Sequence, residues 1–109
     1  MAVVAFEVAR STLGDEHPTT AERLAGVADA QRRLGQYEAA GNNIRRALAI
    51  VEKAYGPDHV ATGRIRHMVG RQLEAEGRLE EALAEQEASL TALEASLGTE
   101  HTAVAEVLS

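Results

Sequence analysis

Three stretches decide how this chain is read: LGDEHP at Leu13–Pro18, YGPDHV at Tyr55–Val60 and LGTEHT at Leu97–Thr102. Each has glycine second, an acid fourth and histidine fifth, and the step is constant, 55 − 13 = 42 and 97 − 55 = 42. A fixed period of this length marks a repeat architecture, in which each unit buries its apolar face only against its neighbours. The competing reading is a triplicated site built on histidine. A zinc ion would need His17, His59 and His101 together, each about 2 Å from the metal. Equivalent positions in stacked helical units stand at least one interhelical spacing apart, roughly 8–10 Å. The histidines are therefore expected to be linker residues that hydrogen-bond the turn and the start of the next helix.

Laying 13–54 over 55–96 gives nine identities in 42 positions, most at turns or on faces that must pack, among them Gly35/Gly77, Ala40/Ala82 and Leu48/Leu90. Each unit reads as two helices. The first opens at Pro18, where a missing N–H costs nothing, carries Ala21, Leu24, Val27, Ala28 and Leu34 at helical spacings, and breaks at Gly35. Its counterpart starts near Val60, carries Ile65, Met68, Val69 and Leu73, and breaks at Gly77. The second helix places Tyr37, Ala40, Ile44, Ala47, Leu48 and Val51 on one stripe before Gly56-Pro57. Its counterpart has Leu79, Ala82, Leu83, Leu90, Leu93 and Leu97, with Ile44 replaced by Gln86 and Ala47 by Ser89; this more polar stripe predicts a helix packed less deeply. A coiled-coil seam along these leucines is the weaker alternative, because Gln86 interrupts it. Residues 1–12 align with the second helix of a preceding unit, and 97–109 read as the start of a further one. The predicted organisation is one domain: 1–12 a partial repeat, 13–54 and 55–96 two repeats, 97–109 the beginning of another.

The composition agrees with long helices packed through small residues. Of 109 residues 45% are hydrophobic and 26% charged, the aromatics are only Phe6, Tyr37 and Tyr55, and cysteine is absent, which removes thiolate chemistry and disulfides. The apolar opening MAVVAFEVAR is interrupted by Glu7 and Arg10 and lacks the build of a signal peptide. No stretch approaches the roughly 20 apolar residues of a membrane span, so a cytoplasmic protein without a membrane partner is expected. A net charge of −6 argues against direct nucleic-acid binding. The charge is unevenly spread: 2 − 5 = −3 over residues 1–31, 9 − 5 = +4 over 32–78, and 0 − 7 = −7 over 79–109.

The patterns Gly35-x-Tyr37-x-x-Ala40 and Gly77-x-Leu79-x-x-Ala82 resemble the tetratricopeptide repeat. With the L-G-x-D/E-H-P linker and its 42-residue step, the chain is similar to the long-helix variety found in kinesin light chains and in many bacterial regulatory and signalling proteins. The resemblance covers nearly the whole chain. Departures are Arg66 where the first unit has Leu24, Gln86 where it has Ile44, and Val60 and Thr102 where the first linker has Pro18. The resemblance implies an all-α fold, antiparallel helix-turn-helix repeats stacked as a right-handed α-solenoid, that binds a peptide or protein without a cofactor. Its groove is lined by exposed positions of the first helices. Carried onto this chain, these are Glu22, Ala25, Asp29, Arg32 and Arg33, then Arg64, His67, Arg71, Glu74 and Ala75.

Among these, Arg64, His67 and Arg71 recur at i, i+3 and i+7 and share one helix face, with Arg32 and Arg33 near the end of the neighbouring first helix. One reading is a cationic stripe for an acidic peptide, since guanidinium forks grip carboxylates. The other is a solvated face whose charges pair with Glu22, Asp29 and Glu74. Glu80, Glu81, Glu85, Glu87 and Glu94 pose a similar choice between a docking surface for a basic partner and the wet side of an amphipathic helix. No nucleophile–base pair, phosphate-cradling loop or H-E-x-x-H motif is present, so catalysis is not expected. A second expectation is self-association: apolar Val4, Phe6 and Val8 at one end and Val104, Val107 and Leu108 at the other favour an end-to-end or helix-exchanged homodimer. Abundant Ala and Arg with the single lysine Lys53 point to a high-GC bacterial gene and a larger regulatory or signalling protein.

Overall fold

The computed structural model describes residues 2–97, which form five α-helices joined by short turns. They are α1 Ala2–Leu13, α2 Pro18–Arg33, α3 Tyr37–Tyr55, α4 Val60–Ala75 and α5 Leu79–Leu97. Each helix packs on the next along the chain, and α2 also touches α4. The protein is all-α and built of tetratricopeptide-like helix pairs. Among the described residues no helix is long and apolar enough to cross a membrane.

Two kinds of turn alternate, each written in local chemistry. Within a unit, α2 and α4 end at Gly35 and Gly77, whose φ values of 81° and 80° lie in the left-handed region that glycine enters without a Cβ clash. The following N–H reaches back to the last turn, Gln36 to Gln31 and Arg78 to Leu73, both at 2.9 Å, closing a Schellman-type cap. Between units the histidine acts as the N-cap. His17 Nδ1 accepts from the Thr19 N–H at 3.1 Å and His59 Nδ1 from the Ala61 N–H at 3.0 Å. These bonds satisfy amide groups that have no partner inside the helix. The His59 ring is also stacked on Tyr55, with centroids 4.1 Å apart. The linker role read for His17 and His59 is thus a helix cap; His101 lies outside the described residues.

The core is small-residue packing with aliphatic inserts. Leu24, Val27, Ile44, Val51, Ile65, Val69 and Leu73 are buried together with Ala21, Ala25, Ala28, Ala47 and Ala82. Burying a leucine- or isoleucine-sized side chain contributes about 1.5–3 kcal/mol, while the alanines let helix axes approach closely. Helices α4 and α5 approach closely at Gly63, where an added Cβ would stand 3.1 Å from Leu93 Cγ.

One expectation holds and one needs correction. Helix α5 is packed less deeply than α3: Ala82, Ser89, Ala92 and Leu93 are buried, whereas α3 buries Ala40, Gly41, Ile44, Ala47, Ile50 and Val51, and the polar substitution at Ser89 is absorbed because its Oγ donates to the Gly63 carbonyl at 2.6 Å. Leu34, Tyr37, Leu79 and Leu83, read as stripe residues, are instead exposed, Leu34 to 74% and Leu83 to 61%. Leu34 stands in the turn after α2, Tyr37 and Leu79 open α3 and α5, and Leu83 is one turn further along α5. In α3 the position equivalent to Leu83 is Gly41, which lies under Gln72 of α4 and Glu76 just after it. Helix α5 has no such cover among the described residues.

Candidate functional site

Helices α2 and α4 carry the first-helix face. Its residues reach it for a local reason: α2 buries Leu24, Val27 and Ala28 and α4 buries Ile65, Val69 and Leu73, so the intervening positions turn outward.

The structure pairs most of the charges on this face. Arg64 Nη2 lies 3.3 Å from a Glu22 carboxylate oxygen, joining α4 to α2 between equivalent positions, 64 − 22 = 42. Asp29 receives both Arg32 at 2.8 Å and Arg33 at 2.9 Å along its own helix. His67 Nδ1 is 2.5 Å from the amide oxygen of Gln86 on α5, whose Nε2 in turn donates to Glu74 at 3.2 Å. Arg71 is exposed, and among the described residues no carboxylate lies within 4.0 Å of it. Ala25 is buried and Ala75 half-buried, so neither offers much contact area. Next to Arg64 and His67 a mostly apolar groove of about 410 Å³ runs between α4 and α5, floored by Met68, Ser89 and Leu93.

Several residues that matter here were not singled out by sequence. Gln72 is 2% exposed, and its Nε2 donates to the Tyr37 carbonyl and to Glu76, both at 2.9 Å. A glutamine beside Val69 and Leu73 was the available signal. Arg66 is a bridge: its guanidinium contacts Glu52 of α3 and, at 3.3 Å, Glu85 of α5. Thus one of the acids in the C-terminal run is an interhelical partner, and Glu81 is taken up locally by Arg78 at 2.7 Å. Hydrogen bonding to Glu81 raises the Arg78 pKa above its ordinary value, the Glu81 charge adding to it, and Glu7 does the same for Arg10; both guanidiniums stay charged.

Glycine turns within units thus alternate with histidine-capped turns between units. A tetratricopeptide repeat profile matches residues 24–94. The chain belongs to the tetratricopeptide repeat family. The match runs from the middle of α2 almost to the end of α5, so both helix pairs contribute to it. Tetratricopeptide repeats are in general non-catalytic protein-interaction modules. No curated protein matches the chain.

Proposed function

We propose that this tetratricopeptide segment binds a peptide or protein along the outward face of α2 and α4, and that an acidic group of the partner is held at Arg71. The observation that carries this is the difference among the cations of the face. Arg32, Arg33 and Arg64 already have carboxylate partners, whereas Arg71 projects into solvent from the same side of α4 as Arg64 and His67 with none among the described residues. A guanidinium without a partner gains the most from an incoming carboxylate. Glu22 and Asp29 hold the neighbouring cations in place, Glu74 accepts from Gln86, and the three set the polarity of the rim. The Arg-rich, lysine-poor composition favours a larger bacterial regulatory or signalling protein as the context.

The test is fluorescence anisotropy with a panel of labelled peptides differing only in aspartate and glutamate content. Acidic peptides are expected to bind, with affinity falling at least tenfold in Arg71→Glu and further in Arg64→Glu/Arg71→Glu while the helical circular dichroism is kept. Binding that is indifferent to both variants would sink the groove reading.

Self-association is the second reading. Val3, Val4 and Val8 on α1 are 58%, 58% and 60% exposed, although Val8 is equivalent to buried Ile50 of α3. Such a face favours a dimer through end helices. Light scattering at micromolar concentration is expected to give twice the chain mass, and a monomer mass excludes it.

A further inference from the structure

Four residues of the second unit differ as a set from their counterparts one period earlier. His67, Gly70, Glu74 and Gln86 stand where the first unit has Ala25, Ala28, Arg32 and Ile44. Ala25, Ala28 and Ile44 are buried as part of the apolar core. In the second unit the same seat is polar. Gln86 reaches from α5 across Gly70, where an added Cβ would stand 2.7 Å from its Nε2 and 2.8 Å from its Cδ, so the glycine makes the room. Its amide joins two residues of α4: Nε2 lies 3.2 Å from the Glu74 carboxylate and Oε1 lies 2.5 Å from His67 Nδ1.

The chemistry of these groups sets the direction of both bonds. A carboxylate only accepts, so the amide nitrogen of Gln86 faces Glu74 and its oxygen faces His67. An amide oxygen also only accepts, so His67 Nδ1 carries the proton. In the neutral imidazole the other nitrogen, Nε2, is then an acceptor, and it has no hydrogen-bond partner among the described residues. His67 is exposed and stands one turn before Arg71 on the same face of α4.

We propose that Gln86 and Glu74 hold His67 as a hydrogen-bond acceptor, so that a peptide seated at Arg71 is selected for a donor beside its carboxylate. This rests on the reading of Arg71 as the anchor for an acidic group and adds the second group the peptide must carry. Residues four apart on a helix have Cβ atoms about 5–6 Å apart. Side chains two apart on an extended peptide share one side and stand about 6.5 Å apart. An aspartate or glutamate two residues from a serine or threonine therefore matches Arg71 and His67. Arg64 does not compete for the carboxylate, because Glu22 already stands 3.3 Å from it. Gln86 and Glu74 are positioning residues that act through His67.

Two measurements on the whole chain test this. Nitrogen NMR of the labelled imidazoles at alkaline pH, where imidazoles are neutral, reads the tautomer without any partner. The Nδ1–H form is expected for His67, kept in Glu74→Gln, whose amide oxygen still accepts from Gln86, and lost in Gln86→Leu. The Nε2–H form in the unaltered chain overturns the proposal. Fluorescence anisotropy at the same pH then compares extended peptides identical but for serine, O-methylserine or alanine two residues from a glutamate. O-methylserine can accept but not donate. The serine peptide is expected to bind about fivefold more tightly than the other two, with that preference gone in Gln86→Leu and the dependence on Arg71 kept. Binding that needs Arg71 but ignores the serine hydroxyl, or a serine preference that persists in Gln86→Leu, overturns the role given to His67 and leaves the acidic anchor standing. A serine preference that is lost in Gln86→Leu but survives Arg71→Glu upholds His67 and overturns the anchor, and no binding by any of the three overturns both.

Discussion

The side-chain amide of Gln72 on α4 donates to the backbone carbonyl of Tyr37 in the first turn of α3, at 2.9 Å and across 35 residues. It ties the start of one unit's second helix to the end of the next unit's first helix, at a site only 2% exposed at Gln72. Gln72→Leu keeps the volume and loses the bond, which should cost about 1 kcal/mol. Gln72→Glu should cost more, because a carboxylate only accepts and would face the Tyr37 carbonyl and Glu76. Urea denaturation ranks the two; a Glu variant as stable as the Leu variant contradicts the bond.

The histidine caps make a prediction about residue type rather than charge. His59→Ala removes the acceptor for the Ala61 N–H and the stack on Tyr55, and is expected to lose about 1 kcal/mol. His59→Asn, with a side-chain oxygen suited to the same N–H, should recover most of that. Thermal unfolding of the pair decides it, and equal melting temperatures for Ala and Asn would remove the capping role.

Three helical glycines should respond differently to alanine. Gly26 has no heavy atom within 4 Å of a built Cβ, so Gly26→Ala should stabilise by about 0.5–1 kcal/mol through backbone entropy. At Gly41 the nearest atom is Arg45 Nη1 at 2.8 Å, the movable end of a long side chain, and the effect should be close to zero. At Gly63 the Cβ meets Leu93 Cγ at 3.1 Å and Ala92 Cβ at 3.3 Å, both held in the α4/α5 seam. Overpacking of about 1–3 kcal/mol there exceeds the propensity gain, so Gly63→Ala should destabilise. The order Gly26, Gly41, Gly63 in chemical denaturation midpoints is the readout.

Arg66 stands where the first unit has Leu24, and its side chain is 20% exposed between Glu52 and Glu85, which are 41% and 28% exposed. Because both carboxylates keep contact with water, losing the bridge is cheap and a leucine recovers apolar burial. Arg66→Leu is expected to change stability by less than about 1 kcal/mol and to reduce its dependence on salt. A loss of several kcal/mol would show that the charge bridge, not packing, holds α3 and α5 to α4.

How far the sequence could be read depended on the range of each interaction. The glycine and histidine turns were legible because each is settled within about five residues: Gly35 needs only its own φ, and His17 reaches only Thr19. The buried stripes of α2 and α4 followed from spacing. Exposure of Leu34, Leu79 and Leu83 was not legible, since an apolar residue on a helix face is buried only where another element lies over it. Nor was the accommodation of Ser89, because a serine at a core position is polar by type and satisfied only by the Gly63 carbonyl 26 residues away.

By itself the sequence determined the repeat period, the helix ends and the family, all through chemistry local in the chain or repeated along it. Only the tertiary structure decided which cations of the first-helix face are neutralised. Arg64 and Arg71 are the same residue type on the same face of one helix, yet Glu22 stands 3.3 Å from the first, and no carboxylate among the described residues comes within 4.0 Å of the second. That difference is set by how α4 crosses α2, a rigid-body relation between helices that neither composition nor spacing encodes.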